Sequence, residues 1–331
     1  MRRLILLTML LLAGCAGRQS ALDPAGAQAH SLASLLTLMT WVCGIMYLLV
    51  LGFLGAGIWR ARDRLAEGPL VDSADKGLRA GLWVWAGIIL AGLTLLVAAS
   101  FLVDRGLAGV RREPALEVRV TAHQWWWRLE YRDPATGAWI ETANELHLPV
   151  GRNVRLTLAS ADVIHSFWVP NVAGKMDVVP GRTNVIDLTP RRTGWFRGQC
   201  AEFCGTQHAH MAFDVKVESP AEFAAWLAGQ ASPAAAPGDP VLARGMAVAT
   251  GGQCAGCHAI RGTAATSRVG PDLTHIGSRR SIAAGTEPFS RGALQGWIAQ
   301  PQALKPGTMM PAVALEPADA DAVARYLESL K

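Results

Sequence analysis

The sequence is short of charge and almost without tyrosine: Asp, Glu, Lys and Arg make up 17% of its 331 residues, and three Tyr stand against twelve Trp. The net charge of +5 is spread along the chain with no run of like charges and no nucleic-acid-binding motif, so nothing points to a polyanion as partner. Spare cysteines are also lacking. The six, Cys15, Cys43, Cys200, Cys204, Cys254 and Cys257, are accounted for one at a time or in local pairs, which leaves no pair for a structural disulfide. What the chain does have is apolar bulk: 51% hydrophobic residues, in a length that allows two or three domains. That balance is of a membrane component rather than a purely soluble enzyme.

Residues 1–15 give a basic start, Met1-Arg2-Arg3, then an apolar stretch too short to cross a bilayer. Leu12-Ala13-Gly14-Cys15 resembles a bacterial lipobox, which predicts a signal peptide over 1–14, cleavage before Cys15, acylation of its thiol and a lipidated tether over 15–30. The alternative is an uncleaved apolar segment with a chance cysteine. Two apolar runs follow, Ser31 to Trp59 and Leu82 to Val103, each long enough for the roughly 20 residues of a membrane helix, so a helix hairpin is expected within 31–104. Arg60, Arg62, Arg64, Lys76 and Arg79 place the connection in the cytoplasm and everything after Asp104 outside. Cys43, near Trp41 and Met46, reads as a packed thiol.

After Pro114 the pattern becomes that of strands. Leu116-Glu-Val-Arg-Val-Thr121 and Asn153-Val-Arg-Leu-Thr-Leu158 alternate, which marks a β domain over 115–219. Near its end stands Cys200-Ala-Glu-Phe-Cys204-Gly-Thr-Gln-His208-Ala-His-Met211, to be taken with His165 upstream. Soft sulfur and borderline nitrogen donors on one loop suit copper or zinc rather than magnesium or calcium. A Cys200–Cys204 disulfide and a structural zinc site are the competing readings, though Met is a poor zinc ligand. His210 lies off the spacing and reads as a surface residue. Residues 220–239 read as a short helical stretch, from Pro220 to Gly229, followed by a Pro/Ala-rich, semi-extended linker.

Beyond the linker, 240–331 opens with a helix over Pro240 to Gly252 in which Gly245 permits close helix contact. Cys254-Ala-Gly-Cys257-His258 is the attachment signature of c-type haem: two thiols add to the vinyl groups and the next residue supplies the proximal imidazole. A thioredoxin-like pair is the competitor, disfavoured by the following His and the absence of a βαβ pattern. Lys305-Pro-Gly-Thr-Met309-Met310-Pro311 offers two candidates for the sixth ligand, and Met310, directly before Pro311, is the choice over Met309. Glu316 to Leu330 reads as a terminal helix with Tyr326 and Leu327 inward.

The copper-type loop, with His165-Ser-Phe-Trp-Val-Pro170 and Gly174-Lys-Met-Asp-Val-Val-Pro-Gly-Arg-Thr-Asn184, resembles that of cytochrome c oxidase subunit II, and the order of domains resembles the caa-type subunit with a fused cytochrome c. The resemblance implies a multidomain membrane protein: a two-helix transmembrane hairpin, an all-β cupredoxin-like domain, then an all-α class I cytochrome c domain. It implies two copper ions bridged by Cys200 and Cys204 and capped by His165 and His208, with Met211 and the carbonyl of Glu202 as weak outer ligands. The Glu202 side chain would help hold magnesium or manganese at the boundary with subunit I. Haem c would be held by Cys254, Cys257, His258 and Met310, and Val269-Gly-Pro271 resembles the loop whose proline carbonyl orients the proximal ring. Ala122-His123-Gln124-Trp125-Trp126-Trp127-Arg128 resembles the aromatic patch through which electrons arrive, with Trp125 as the receiving residue; a pure packing role is the alternative.

Implied partners are oxidase subunits I and III, membrane lipid, and a periplasmic cytochrome c or quinol-oxidising complex as donor, in a bacterial inner membrane with both cofactor domains outside. The implied reaction is reduction of oxygen to water with proton pumping. The second apolar run departs from the family pattern: it opens Lys76-Gly-Leu-Arg-Ala-Gly-Leu, without the acidic residue and early proline linked to proton uptake. A copper-containing nitric oxide reductase small subunit and a membrane-anchored copper chaperone or sensor are the rival functions.

Overall fold

A computed structural model describes residues 16–64, 76–108 and 116–331. The signal peptide expected over 1–14 and the acylation expected at Cys15 lie outside the described residues.

One unit of the chain holds two long helices, α1 (Ala27–Arg64) and α2 (Lys76–Ala108). Each contains the apolar run expected from the sequence and extends beyond it at both ends. Their candidate spans, Ala27–Arg62 and Arg79–Leu107, have mean hydropathies of 2.1 and 2.5, and none of either apolar window is buried within the chain. Leu48, Phe53, Leu90 and Val97 all point outward. Helices apolar on every side and long enough to cross a bilayer suit lipid rather than water. The thiol of Cys43 is exposed on α1, so the packed position expected for it is not the one observed.

The other unit begins with the segment from residue 16. This segment, within the expected tether, is held to the β domain: the buried Asn171 side chain donates to the carbonyls of Gly17 and Asp23 and accepts from the Ser20 amide. The β domain that follows has two five-stranded sheets. In the first the order is β3 (Trp139–Ala143), β2 (Trp126–Arg132), β1 (Leu116–His123), β5 (Val154–Ser160), β8 (Asn184–Leu188). In the second it is β4 (Glu145–Pro149), β10 (Ala212–Glu218), β9 (Gly194–Cys200), β6 (His165–Trp168), β7 (Met176–Val178). Both are mixed: β1 runs parallel to β5 and antiparallel to β2, while β10 runs parallel to β4 and antiparallel to β9.

The alternation seen in the sequence is the cause of the layering. On β1, Leu116, Val118, Val120 and Ala122 are buried, and they join Leu129 and Leu156 in a core completed by Leu146, Phe167, Phe213 and Val215. Trp127 sits inside it, edge-on to Phe167 at 5.8 Å and to Phe213 at 5.4 Å. Gly198 makes this possible, since a Cβ there would lie 2.1 Å from the Phe213 ring. β4 does not alternate: all five of its residues are buried. The reason is α3 (Pro220–Ala231), which starts with a Ser219/Glu222 capping box and covers the outer face, stacking Trp226 on His147 at 3.9 Å.

The linker is irregular, as expected, but its first part is packed. Ser232 accepts from His275, Pro233 lies against Gly262, and the Ala234 amide donates to the Arg261 carbonyl. The C-terminal domain comprises α4 (Pro240–Thr250), a short α5 (Gly252–Ala255), a two-residue ladder β11 (Ser281–Ile282) with β12 (Glu287–Pro288), α6 (Arg291–Ala299), α7 (Pro301–Leu304) and α8 (Pro317–Ser329). Gly245 lets α4 and α8 touch through their backbones: a Cβ there would lie 2.0 Å from the Ala322 carbonyl oxygen. Tyr326 and Leu327 face inward, as the sequence suggests.

Candidate functional site

The metal-type loop leaves β9 at Cys200 and rejoins the sheet at β10, and the Cys200 amide closes it by donating to the Met211 carbonyl at 2.8 Å. On the neighbouring strand Phe167 pairs with Cys200, which brings His165 to the mouth of the loop. The two sulfurs of Cys200 and Cys204 are 3.7 Å apart and both thiols are free. A disulfide would need about 2.05 Å, so that reading fails. His165 Nδ1 lies 3.8 Å from Cys200 Sγ, His208 Nδ1 3.7 Å from Cys204 Sγ, and Met211 Sδ 3.8 Å from Cys204 Sγ. The Glu202 carbonyl oxygen is 3.1 Å from Cys200 Sγ. Each thiol thus has its own imidazole. Two sulfurs with four further donors around them, six in all, exceed what one tetrahedral zinc ion takes up, and the set fits soft metal chemistry.

Electrostatics at the loop come from crowding. The hydrogen bond from Cys204 holds Cys200 down to about 3, with burial opposing, while the same bond and burial push Cys204 up: one proton serves two sulfurs. Burial pulls His165 down, but Cys200 and Asp162 outweigh it and leave the ring raised. Asp162 binds Nε2 of His165 at 2.8 Å, which leaves Nδ1 for the loop. This carboxylate was not singled out in the sequence, although Asp162-Val-Ile-His165 places it one short turn before the imidazole.

Glu202 and Phe203 are exposed, Phe203 at 75%. Among the described residues the Glu202 carboxylate belongs to no cluster of three or more metal-ligating side chains; the single such group is His165, Cys200 and Cys204. His210 is exposed, as expected of a residue outside the ligand set.

A second site is an open cavity in the C-terminal domain, about 1380 Å³ including its mouth, bordered by Cys254, Cys257, His258, Pro271, Trp297 and Met310. His258 Nδ1 donates to the Pro271 carbonyl at 2.8 Å, which leaves Nε2 for a metal. Gly270 lets that loop press on the ring: a Cβ would lie 2.7 Å from His258 Cε1. Burial lowers the pKa of His258, favouring the neutral ligating form. Met309 is 84% exposed, whereas Met310 packs against the domain core. Two free thiols, an oriented imidazole and a thioether at one cavity fit a covalently attached haem.

Trp125 lies between the two sites. It is 9% exposed, borders the cavity, and donates from Nε1 to the Cys204 carbonyl at 2.9 Å; Gln124 Nε2 donates to the same oxygen at 2.8 Å. Its ring also packs under Gly205 and Gly307, so it serves packing as well. What faces it is the C-terminal domain of the same chain.

Around Trp125 the two domains are bonded together. Arg268 reaches Glu130 at 2.7 Å and Glu141 at 2.6 Å, Ser281 donates to Asp214 at 2.6 Å, and the Ala212 amide donates to Ala284 at 3.0 Å. Lys305, not singled out in the sequence, is 2% exposed; its Nζ donates to the carbonyls of Trp125 (2.8 Å), His210 (2.8 Å) and Ala283 (3.0 Å). Burial draws Lys305 down to about 7, and charge on Cys204 works the other way. Three acceptors at these distances need three N–H bonds, which the ammonium alone has.

Two family profiles match the chain: cytochrome c oxidase subunit II, periplasmic domain, over residues 134–218, and cytochrome c over residues 242–331. Cytochrome c oxidase subunit 2 of Alkalihalophilus pseudofirmus is 32% identical, covering 97% of this chain and 94% of that protein. The subunit 2 of Bacillus subtilis is 31% identical, covering 99% and 96%.

Proposed function

The chain belongs to the cytochrome c oxidase subunit II family, and from that premise we propose that its cupredoxin domain holds a pair of copper ions fed by the cytochrome domain fused behind it. It is the electron-receiving subunit of an oxidase, active as part of that complex, and its two cofactor domains are of the copper and haem c kind. Bound in these sites, the copper pair and haem c supply one-electron redox chemistry.

The chain's own residues do the holding. Cys200 and Cys204 would hold the copper ions with their thiolates, His165 and His208 with their imidazoles, and Met211 and the Glu202 carbonyl as weaker donors, an assignment supported by one imidazole facing each sulfur. Cys254 and Cys257 would anchor the haem, and His258 and Met310 would ligate its iron; the exposure of Met309 supports Met310 in that place. A Met–His pair gives the raised potential of an electron carrier. The observation that carries the reading is Trp125, which borders the cavity and bonds the Cys204 carbonyl through its indole nitrogen. We assign it the receiving role.

The exposed Glu202 carboxylate is suited to share magnesium or manganese with subunit I, since hard cations take oxygen ligands. The assembly further involves subunit III, membrane lipid, acylation of Cys15 and an outside location on a bacterial inner membrane. Its donor is a periplasmic cytochrome c or a quinol-oxidising complex, and its reaction reduces oxygen to water with proton pumping. Metal analysis and visible and near-infrared spectra of the purified complex test the core of this: two coppers in this subunit per c-type haem, with a mixed-valence near-infrared band, are expected. One copper without that band would refute it and favour the chaperone reading, and nitric oxide consumption in place of oxygen consumption would favour the reductase.

A further inference from the structure

We propose that Lys305 is a positioning residue that locks the haem-bearing domain onto the copper loop, so that the two centres exchange electrons from a fixed docked arrangement. This rests on the functional reading above. Lys305 stands on the Lys305–Pro311 stretch that also carries Met310, the iron ligand candidate. Its three N–H bonds go to three different parts of the chain: the backbone of Trp125, the backbone of His210 next to Met211, and Ala283 of its own domain. One side chain therefore ties together the receiving tryptophan, the copper loop and the haem-ligand loop.

The neighbouring contacts act in the same direction. Gln207 on the copper loop donates to the Pro306 carbonyl at 2.7 Å, and Gly307, with φ of +85°, brings the turn against Thr206 and Trp125; a Cβ at Gly307 would lie 3.1 Å from Thr206 Oγ1 and 3.7 Å from the Trp125 ring. A buried ammonium is costly unless all its donors are used, and here all three are. Removing it takes the Lys305 donor from the buried Trp125 carbonyl and leaves the His210 and Ala283 carbonyls only Thr286 Oγ1, at 3.5 and 2.7 Å, so the lost bonding at Trp125 works against docking. The packed linker at Ser232–Ala234 shortens the slack of the tether, so the cytochrome domain has no need to swing to deliver an electron.

The test uses the full oxidase carrying Lys305→Met, nearly the same length without charge. Haem attachment, the sulfur–iron band and the copper spectrum should be retained. Electron transfer from haem c to copper after flash reduction should slow by at least about tenfold. Amide exchange at residues 122–128 and 205–212 should rise, which a role confined to the interior of the cytochrome domain would not cause. Transfer within about twofold of the unaltered oxidase, or unchanged exchange, overturns the proposal. If Lys305→Met does not assemble, the unaltered oxidase decides: a fixed arrangement gives an internal rate indifferent to added glycerol, and a rate that falls with viscosity overturns it. Absence of copper or haem in the unaltered oxidase would instead count against the functional reading itself.

Discussion

The copper loop and the haem cavity hold their groups in opposite ways. In the loop, Cys200, Cys204, His165 and Met211 are all buried, the chain is closed by a backbone hydrogen bond, and His165 is pinned from behind by Asp162. The donors already converge. The haem site is an open cavity, and its distal wall, from Lys305 to Glu316, has hardly any regular structure apart from turns. The difference shows what each fold contributes: a β-sandwich can fix small-metal geometry through its strands, whereas a small helical domain is completed by the large group that fills it.

The sharpest way to break this contrast is Cys200→Ser. It removes one of the two sulfurs proposed to hold the copper pair, so copper and oxygen consumption should be lost altogether while the c-type haem spectrum stays; loss of both cofactors would show that the sites are not independent. Asp162→Asn comes next. It keeps shape but removes the carboxylate behind His165, and copper affinity measured by chelator competition should fall about 10–100-fold. On the haem side, Met310→Ala should abolish the sulfur–iron band and lower the haem potential, with Met309→Ala leaving both unchanged; the reverse result would exchange the two assignments. Trp125→Phe keeps a ring but loses the bond to Cys204, and internal transfer should slow about tenfold with the copper spectrum intact. An unmoved rate would leave Trp125 with packing alone.

The smallest effect sharpens the comparison by testing the rigidity of the β-sandwich. His147 lies between Glu145 (2.9 Å) and Glu218 (2.7 Å); burial pulls its pKa down, but the two carboxylates prevail and raise it. A raised histidine contributes its full stabilisation below about 6.5 and loses it as pH climbs through the folded-state value. The β domain should therefore melt at progressively lower temperature as pH rises past neutrality, and His147→Gln should flatten that slope. A melting curve with the same slope in both proteins would contradict the assignment.

Much of this was legible in the chain itself, for reasons that differ by residue. The candidate donors Cys200, Cys204, His208 and Met211, and the attachment signature at Cys254–His258, lie close together in sequence, so spacing reports a metal-type loop and a haem motif, while the division of ligand roles came from the family resemblance. His165 and Met310 are distant, and the family resemblance located them. Alternation reported β1 and β5, whereas β4 is buried at every position because α3 covers its polar face. Lys305 left no trace because its partners are backbone carbonyls, which carry no side-chain pattern. The linker was readable as irregular from its prolines, but not as packed, since that depends on Arg261 and His275 many residues away.

The cover over Trp125 bears on kinetics. With the indole 9% exposed beneath its own chain's cytochrome domain, a soluble carrier cannot collide with it. On the proposed route, supply of electrons would divide into a second-order encounter at the outer cytochrome surface and a first-order hop inside the subunit. Raising carrier concentration should accelerate the former to saturation, and the plateau belongs to the molecule alone.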